Sequence, residues 1–246
     1  MASERTAASV SEFVALTLKL AKEDYTLYRG QSENWPLRPK LARVEQRDGK
    51  LKTQLESVLM KDFKNQSLGF LDIVPPSEWD WLALGQHHGL ATRLLDWTTN
   101  PLVALWFAVR DPATSAVDNK RLKPGVTWVF EPAKEDYADP DGTAEPYAVR
   151  KTTVFRPKHV TRRIVAQSGW FTVHRFDSKD GGFATLENVR RIKNRLTKIM
   201  IPGESFSEIR EDLGRMGIHH ASMFPDLDGL CKDVLWNHTL LEDELS

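Results

Sequence analysis

A dense run of donors, acceptors and titratable groups separates two apolar helix patterns in this chain: Gln86-His87-His88-Gly89-Leu90-Ala91-Thr92-Arg93-Leu94-Leu95-Asp96-Trp97-Thr98-Thr99-Asn100-Pro101. Upstream, Ser77 caps a helix that runs through His87 with Trp81 and Leu84 on its inner face, and Gly89 stops it. Downstream, Pro101 falls in the first helical turn, where its missing N–H costs nothing, and Leu102, Leu105, Trp106 and Val109 form a buried stripe. The polar run is therefore predicted to be a connection anchored by Leu94 and Leu95. Connections at the edge of a packed scaffold are where binding residues concentrate. Thr98, Thr99 or Asn100 caps the following helix, whose positive N-terminal end suits an anion.

The flanking patterns set the fold class. Helices are predicted from Ser11, the expected N-cap, to Ala21, and over Gln54–Phe63, Glu204–Leu213 and Leu227–Leu241. Strands are predicted at Thr26–Tyr28, leading into Arg29-Gly30, and at Gly125–Phe130, Thr152–Phe155, Trp170–His174 and Leu196–Ile201. Ala133–Pro146 is acidic, poor in apolar residues and expected to be an exposed loop. Strands and helices do not alternate regularly, which argues for an α+β domain and against a doubly wound parallel sheet.

Composition excludes several classes. At 246 residues the chain suits one large domain, and 34 basic residues balance 34 acidic ones, so net charge favours neither nucleic acid nor an anionic membrane. The single Cys231 and a polar start without a signal-like apolar core point to a cytoplasmic setting. The longest apolar runs are far too short to cross a bilayer. There is no nucleophile elbow and no Walker-type phosphate loop. Adjacent histidines, as in His87-His88 and His219-His220, point apart on a helix or a strand, so no metal site is expected.

A second constellation is Tyr28-Arg29-Gly30-Gln31. A guanidinium at a strand end matches phosphate or carboxylate in a bidentate fork, and the glycine lets a ligand approach the backbone. Arg29 fits a structural ion pair equally well. Asp96 has the same two readings: a buried network with Arg93 or Arg29, or a group facing a solvated cleft beside Arg93.

The stretches Tyr28–Gln31, Trp35-Pro36-Leu37 with Arg43, Gln86–Ala108, Gln167–Thr172 and Ser222–Gly229 together resemble the FRG domain over residues 25–232, with tyrosine in place of the family's first phenylalanine. This assigns 25–246 to that domain and 1–24 to an N-terminal helical extension. The order strand-Tyr-Arg-Gly, Thr-rich turn and proline-started apolar helix also resembles mono-ADP-ribosyltransferases. That resemblance implies a single mixed domain with a central, mostly antiparallel sheet flanked by helices, and NAD as substrate. It implies that Arg29 holds the phosphates and that Thr98 and Thr99 line the nicotinamide side. Lys198 stands where the late strand of such enzymes carries a glutamate, so Asp96, Glu187, Asp226 or Asp228 has to substitute, with Asp96 and Asp228 preferred and His88 beside them.

The expected ligand contacts are thus Tyr28, Arg29, Gly30, Gln31, Gln86, His87, Arg93, Thr98 and Thr99. Two functions follow. One is an ADP-ribosyltransferase or NAD glycohydrolase, with toxin or anti-phage roles as associations of the two resemblances. The other is a non-catalytic nucleotide sensor or interaction module. Two basic clusters, Arg150, Lys151, Arg156, Lys158, Arg162 and Arg163, and Arg190, Arg191, Lys193, Arg195 and Lys198, suit solvated faces or the tracking of a phosphate backbone, which leaves a nucleic-acid partner open.

Overall fold

The computed structural model describes residues 3–21, 25–45, 47, 51–114, 122–138, 145–157, 162–178 and 182–245. Its elements in chain order are β1 (Ser3–Thr6), α1 (Val10–Leu20), β2 (Leu27–Gln31), α2 (Lys40–Arg43), α3 (Lys52–Ser67), α4 (Glu78–His87), β3 (Leu94–Thr98) and α5 (Pro101–Val109). These are followed by β4 (Gly125–Phe130), β5 (Thr153–Phe155), α6 (Arg162–Ala166), β6 (Gly169–Val173), β7 (Phe176–Asp177), β8 (Gly182–Phe183), β9 (Leu196–Ile201), α7 (Phe206–Arg215), α8 (His220–Met223) and α9 (Leu227–His238). The architecture is mixed α+β. One seven-stranded sheet has the order β1-β9-β4-β2-β3-β6-β5, and β7 and β8 form a small ribbon. The pairings in the large sheet are antiparallel except β1 with β9.

Local chemistry accounts for the helix ends. Ser77 accepts from the Asp80 amide and starts α4, and Asn100 accepts from the Leu102 amide and starts α5. Gly89, at φ 85°, lets the chain leave α4. Helix α1 starts at Ser9 rather than Ser11, because the Ser9 hydroxyl is the one that accepts from the Glu12 amide while Glu12 reaches back to the Ala8 amide. The strand Ser3–Thr6 was not legible in the sequence: it is exposed along its length and is held by pairing to β9.

Three apolar clusters surround the sheet. On one face Tyr28, Val129, Ile199 and Ile201 meet α1, α5 and α7 through Phe13, Ala104, Leu105 and Phe206. On the other, Leu27, Leu95, Trp97, Trp128 and Phe130 pack beneath Leu186 and Ile192. Beside them, α3 and α4 cover Leu94, Phe155 and Phe171 through Met60, Trp79 and Leu82.

Two expectations change here. Leu94–Thr98 is an interior strand rather than a connection, because Leu94 and Leu95 are buried on opposite faces and Trp97 joins Leu95. The acidic segment 133–146, of which 139–144 lie outside the described residues, is not simply exposed where it is described. Asp136 is fully buried, accepts from the Ala133 amide and pairs with both Arg191 and Arg195. Burial raises its pKa, but these bonds and charges outweigh it and hold the carboxyl below its ordinary value. Part of the second basic cluster is thereby a structural network.

The sheet is not continuous. Strand β2 pairs with β4 at five positions, and β3 pairs with β6 at five, but β2 and β3 meet only at Tyr28 and Thr98. Beyond that point they part. Helix α5 lies directly on β2 at this place, and Gly30 permits it: a Cβ there would come within 1.8 Å of the Ala104 carbonyl oxygen and 2.7 Å of the Ala108 nitrogen. Since the obstacles are helix backbone, Gly30→Ala is expected to destabilise the fold by about 3 kcal/mol, the upper part of the overpacking range, measured as a lowered urea midpoint.

Candidate functional site

The parting of β2 and β3 opens a cleft of about 680 Å³, within the range of small-molecule sites. It is lined by Tyr28, Arg29, Gly30 and Gln31 from β2, Gln86, His87 and His88 from α4, Asp96 and Thr98 from β3, and Asp226 and Asp228 from the start of α9. Trp35, Phe107 and Trp170 supply aromatic surface, and Arg38, Arg43, Arg110 and Arg163 supply further cations. Among the described residues, no group of three or more His, Cys, Asp or Glu side chains could hold a metal ion.

Arg29 is the centre of the site. Its Nη1 donates to the Asp96 carbonyl oxygen at 2.8 Å and reaches the carboxylate at 3.5 Å. The guanidinium thus occupies the place where a paired strand would have satisfied that carbonyl. Its side chain is 18% exposed, and its buried Nε has no acceptor among the described residues. Burial pulls the guanidinium below its ordinary pKa, the neighbouring Asp96 pulls it back up, and Arg43 adds like-charge repulsion. A partly accessible cation that lines a cleft is suited to an incoming anion.

Asp96 is held by a relay. The Thr92 hydroxyl donates to Gln86 Oε1 at 2.7 Å, which turns the Gln86 amide nitrogen toward Asp96, at 3.1 and 3.0 Å from its two carboxylate oxygens. The Asp96 side chain remains 55% exposed, so the carboxylate is oriented yet open to the cleft. His87 lies close by; burial and the charges of His88 and Arg163 push its imidazole down to about 4, so it is neutral at pH 7. On the opposite side of the sheet plane, Trp97 Nε1 donates to the Thr172 hydroxyl, which meets His174 Nε2. Gln31 accepts from Trp128 Nε1, which holds its amide in place.

Two expected residues are not in the cleft. Arg93 is buried on the far side: its Nε and Nη2 donate to Glu56 at 2.8 and 2.6 Å, and its Nη1 reaches the Tyr147 carbonyl at 3.1 Å. The expectation that Arg93 and Asp96 act side by side fails because Arg93 lies just before β3 and is drawn to Glu56 on α3, while Asp96, within β3, meets Gln86 and Arg29. Thr99 is likewise not part of the cleft lining, and its amide donates to the Ser168 carbonyl. Thr98 does line the cleft, with its hydroxyl accepting from the Asn100 amide. Of the other carboxylates weighed for a catalytic role, Glu187 is committed to the Leu37 amide and Asp226 caps α9 through the Gly229 amide. Lys198 sits over the Trp128 ring, away from the cleft. In the sequence Arg163 stands out only as part of a basic cluster, and nothing marks Arg38 or Arg110. No periodicity signals that these cations converge.

The Arg93 result carries an expectation. Arg93→Gln leaves Glu56 charged and buried and is expected to cost about 3–5 kcal/mol, whereas Asp96→Asn is expected to leave the urea midpoint nearly unchanged. A second expectation concerns acid. Burial, helped by the charge of Arg29, pushes the His174 imidazole down to about 4. Below pH 6.5 the unfolded chain binds a proton that the folded one refuses, so stability is present above 6.5 and lost as pH falls toward 4. The loss from His174 is about 3 kcal/mol at one unit per 1.4 kcal/mol, and urea titrations of His174→Gln at pH 7 and pH 4.5 should show a flatter dependence than the native protein.

No curated protein and no solved structure matches the chain. The family model of the FRG domain matches residues 24–116, a span that holds β2, α2, α3, α4, β3 and α5. That span contributes Arg29, Gln86, His87, His88 and Asp96, one wall of the cleft, while Arg163, Asp226 and Asp228 come from beyond it. The stretch that the FRG-domain model matches, residues 24–116, is the part of the chain that holds the parting of β2 and β3.

Proposed function

We propose that the cleft binds a nucleotide-type ligand, NAD in the first place, and splits its nicotinamide–ribose bond with transfer of ADP-ribose to a macromolecule or to water. The observation that carries this reading is the partly accessible Arg29 guanidinium lining the cleft beside an oriented and open Asp96 carboxylate. Arg29 takes oxygens of one phosphate of the pyrophosphate through charge-assisted bonds. Asp96 faces the positive charge that develops on the ribose as the C1′–N1 bond lengthens. Nicotinamide departs with the bonding pair as a neutral molecule. The acceptor oxygen bonds to C1′, and His88 at the rim takes the proton it releases. Gly30, Gln31, Tyr28, Gln86, His87 and Thr98 shape the pocket, and Asp228 on α9 is the second carboxylate in it.

A specific feature favours a second reading, a sensor that binds such a ligand without cleaving it. The late strand β9 presents Lys198 rather than a carboxylate, and β4 stands between β9 and β2. Toxin or anti-phage settings, a cytoplasmic location and a nucleic-acid acceptor accompany either reading as proposals.

Incubation with NAD is expected to release nicotinamide, measured by chromatography. Arg29→Ala should abolish the release, and Asp96→Asn should lower it by about 100-fold, the scale of losing one aimed electrostatic group. Saturable thermal stabilisation with NAD recovered intact is the outcome that selects the sensor. If NAD and other phosphorylated nucleotides neither react nor move the melting temperature, both readings are wrong.

A further inference from the structure

The cleft also holds cations supplied by helices rather than by β2. Arg163 on α6 lies over the Phe224 ring at 4.2 Å, and Arg110, at the end of α5, faces the same ring at 6.0 Å and the Phe107 ring at 5.1 Å. Both guanidinium groups line the cleft. Arg110 donates to the exposed Asp111. Among the described residues Arg163 has no hydrogen bond from its guanidinium and no carboxylate within 4.0 Å. Asp96 and Asp226 act on its charge from farther away, and Arg110 opposes it.

Two guanidinium groups gathered at one aromatic ring repel each other, and a guanidinium whose charge meets a ring still has N–H groups to offer an anion. Such an arrangement is relieved by an anion that bridges the two groups. A carboxylate is a weak candidate for that bridge, because Asp96, Asp226 and Asp228 already line the cleft without closing on Arg163. A phosphoryl group, with three oxygens and a larger charge, spans two forks better.

We propose that Arg163 and Arg110, both close to the Phe224 ring, form a second phosphate subsite of the cleft, distinct from the one at Arg29, so that the ligand carries phosphate at two positions. This rests on the proposed function only in placing a nucleotide-type ligand in the cleft. The class it selects is a nucleoside diphosphate derivative or dinucleotide; a mononucleotide fills one position and leaves the other empty. A nucleic-acid strand presents the same phosphate chemistry from a different source.

The test measures binding by calorimetry for the native chain, Arg163→Gln, Arg163→Lys and Arg110→Gln, with ADP-ribose, AMP and a short oligothymidylate as probes. Unchanged thermal unfolding of the variants is checked first, and either arginine alone suffices for the test if the other variant fails to fold. ADP-ribose is expected to bind native protein more tightly than AMP does and to lose about tenfold or more in Arg163→Gln, with Arg163→Lys recovering only part, since an ammonium keeps the charge but not the flat fork. A larger Arg163-dependent affinity for oligothymidylate than for ADP-ribose assigns the phosphate to nucleic acid and retains the subsite. Equal binding of ADP-ribose by native protein and by Arg163→Gln and Arg110→Gln overturns it. If no ADP-ribose binds at all, the proposed function falls separately, and the subsite is judged on inorganic pyrophosphate: saturable binding lost in Arg163→Gln keeps it, and no binding or indifferent binding overturns it.

Discussion

The parting of two neighbouring strands organises this protein. Strands β2 and β3 share a single paired position, Tyr28 with Thr98, and the sheet then opens. A gap in a sheet normally leaves backbone groups without partners, which is costly when they are buried. Arg29 resolves part of that cost by donating to the Asp96 carbonyl at 2.8 Å. The same side chain that closes the hydrogen-bond account of the gap therefore places a cation at its floor. Helix α5 maintains the geometry from behind, because its backbone rests on Gly30 where no other residue fits.

Around that opening, the polar residues divide into those that hold the scaffold and those that face the cleft. Arg93 with Glu56, Asp136 with Arg191 and Arg195, and Arg210 with Asp243 and Glu244 join segments distant in sequence. Their charges are compensated by partners whose other bonds are also satisfied, the condition under which buried ion pairs persist. Arg29, Asp96 and Arg163 differ. Each is partly accessible or incompletely partnered, and each lines the same space. The Thr92–Gln86–Asp96 relay lies between these groups: its first member is fully buried, and its last is open to the cleft.

Much of this was legible in the chain. The helix boundaries at Ser77, Gly89, Asn100 and Pro101 follow from caps, and caps are local chemistry. Tyr28–Gln31 and Gln86–Thr98 stood out through residue type alone, and ten of the twelve expected site residues line one cleft, all but Arg93 and Thr99. The reading of Leu94–Thr98 as a connection failed because a strand buried on both faces shows no alternation, and the polar Asp96 within it resembles a loop residue. Arg93 stands just before that strand, and its partner Glu56 lies on α3, a contact between segments that no local pattern shows.

The sequence by itself determined an α+β chain, the ends of its main helices, the FRG resemblance and the residue types of the central site, since caps, periodicity and motif spacing act over a few neighbouring residues. The tertiary structure alone decided that β2 and β3 separate, that Arg93 belongs to the scaffold, and that Ser3–Thr6 forms an edge strand. It alone brought Arg110 and Arg163, distant in sequence, to one phenylalanine. Those outcomes depend on which strands pair and how helices lie across them, contacts between residues tens of positions apart that no local pattern encodes.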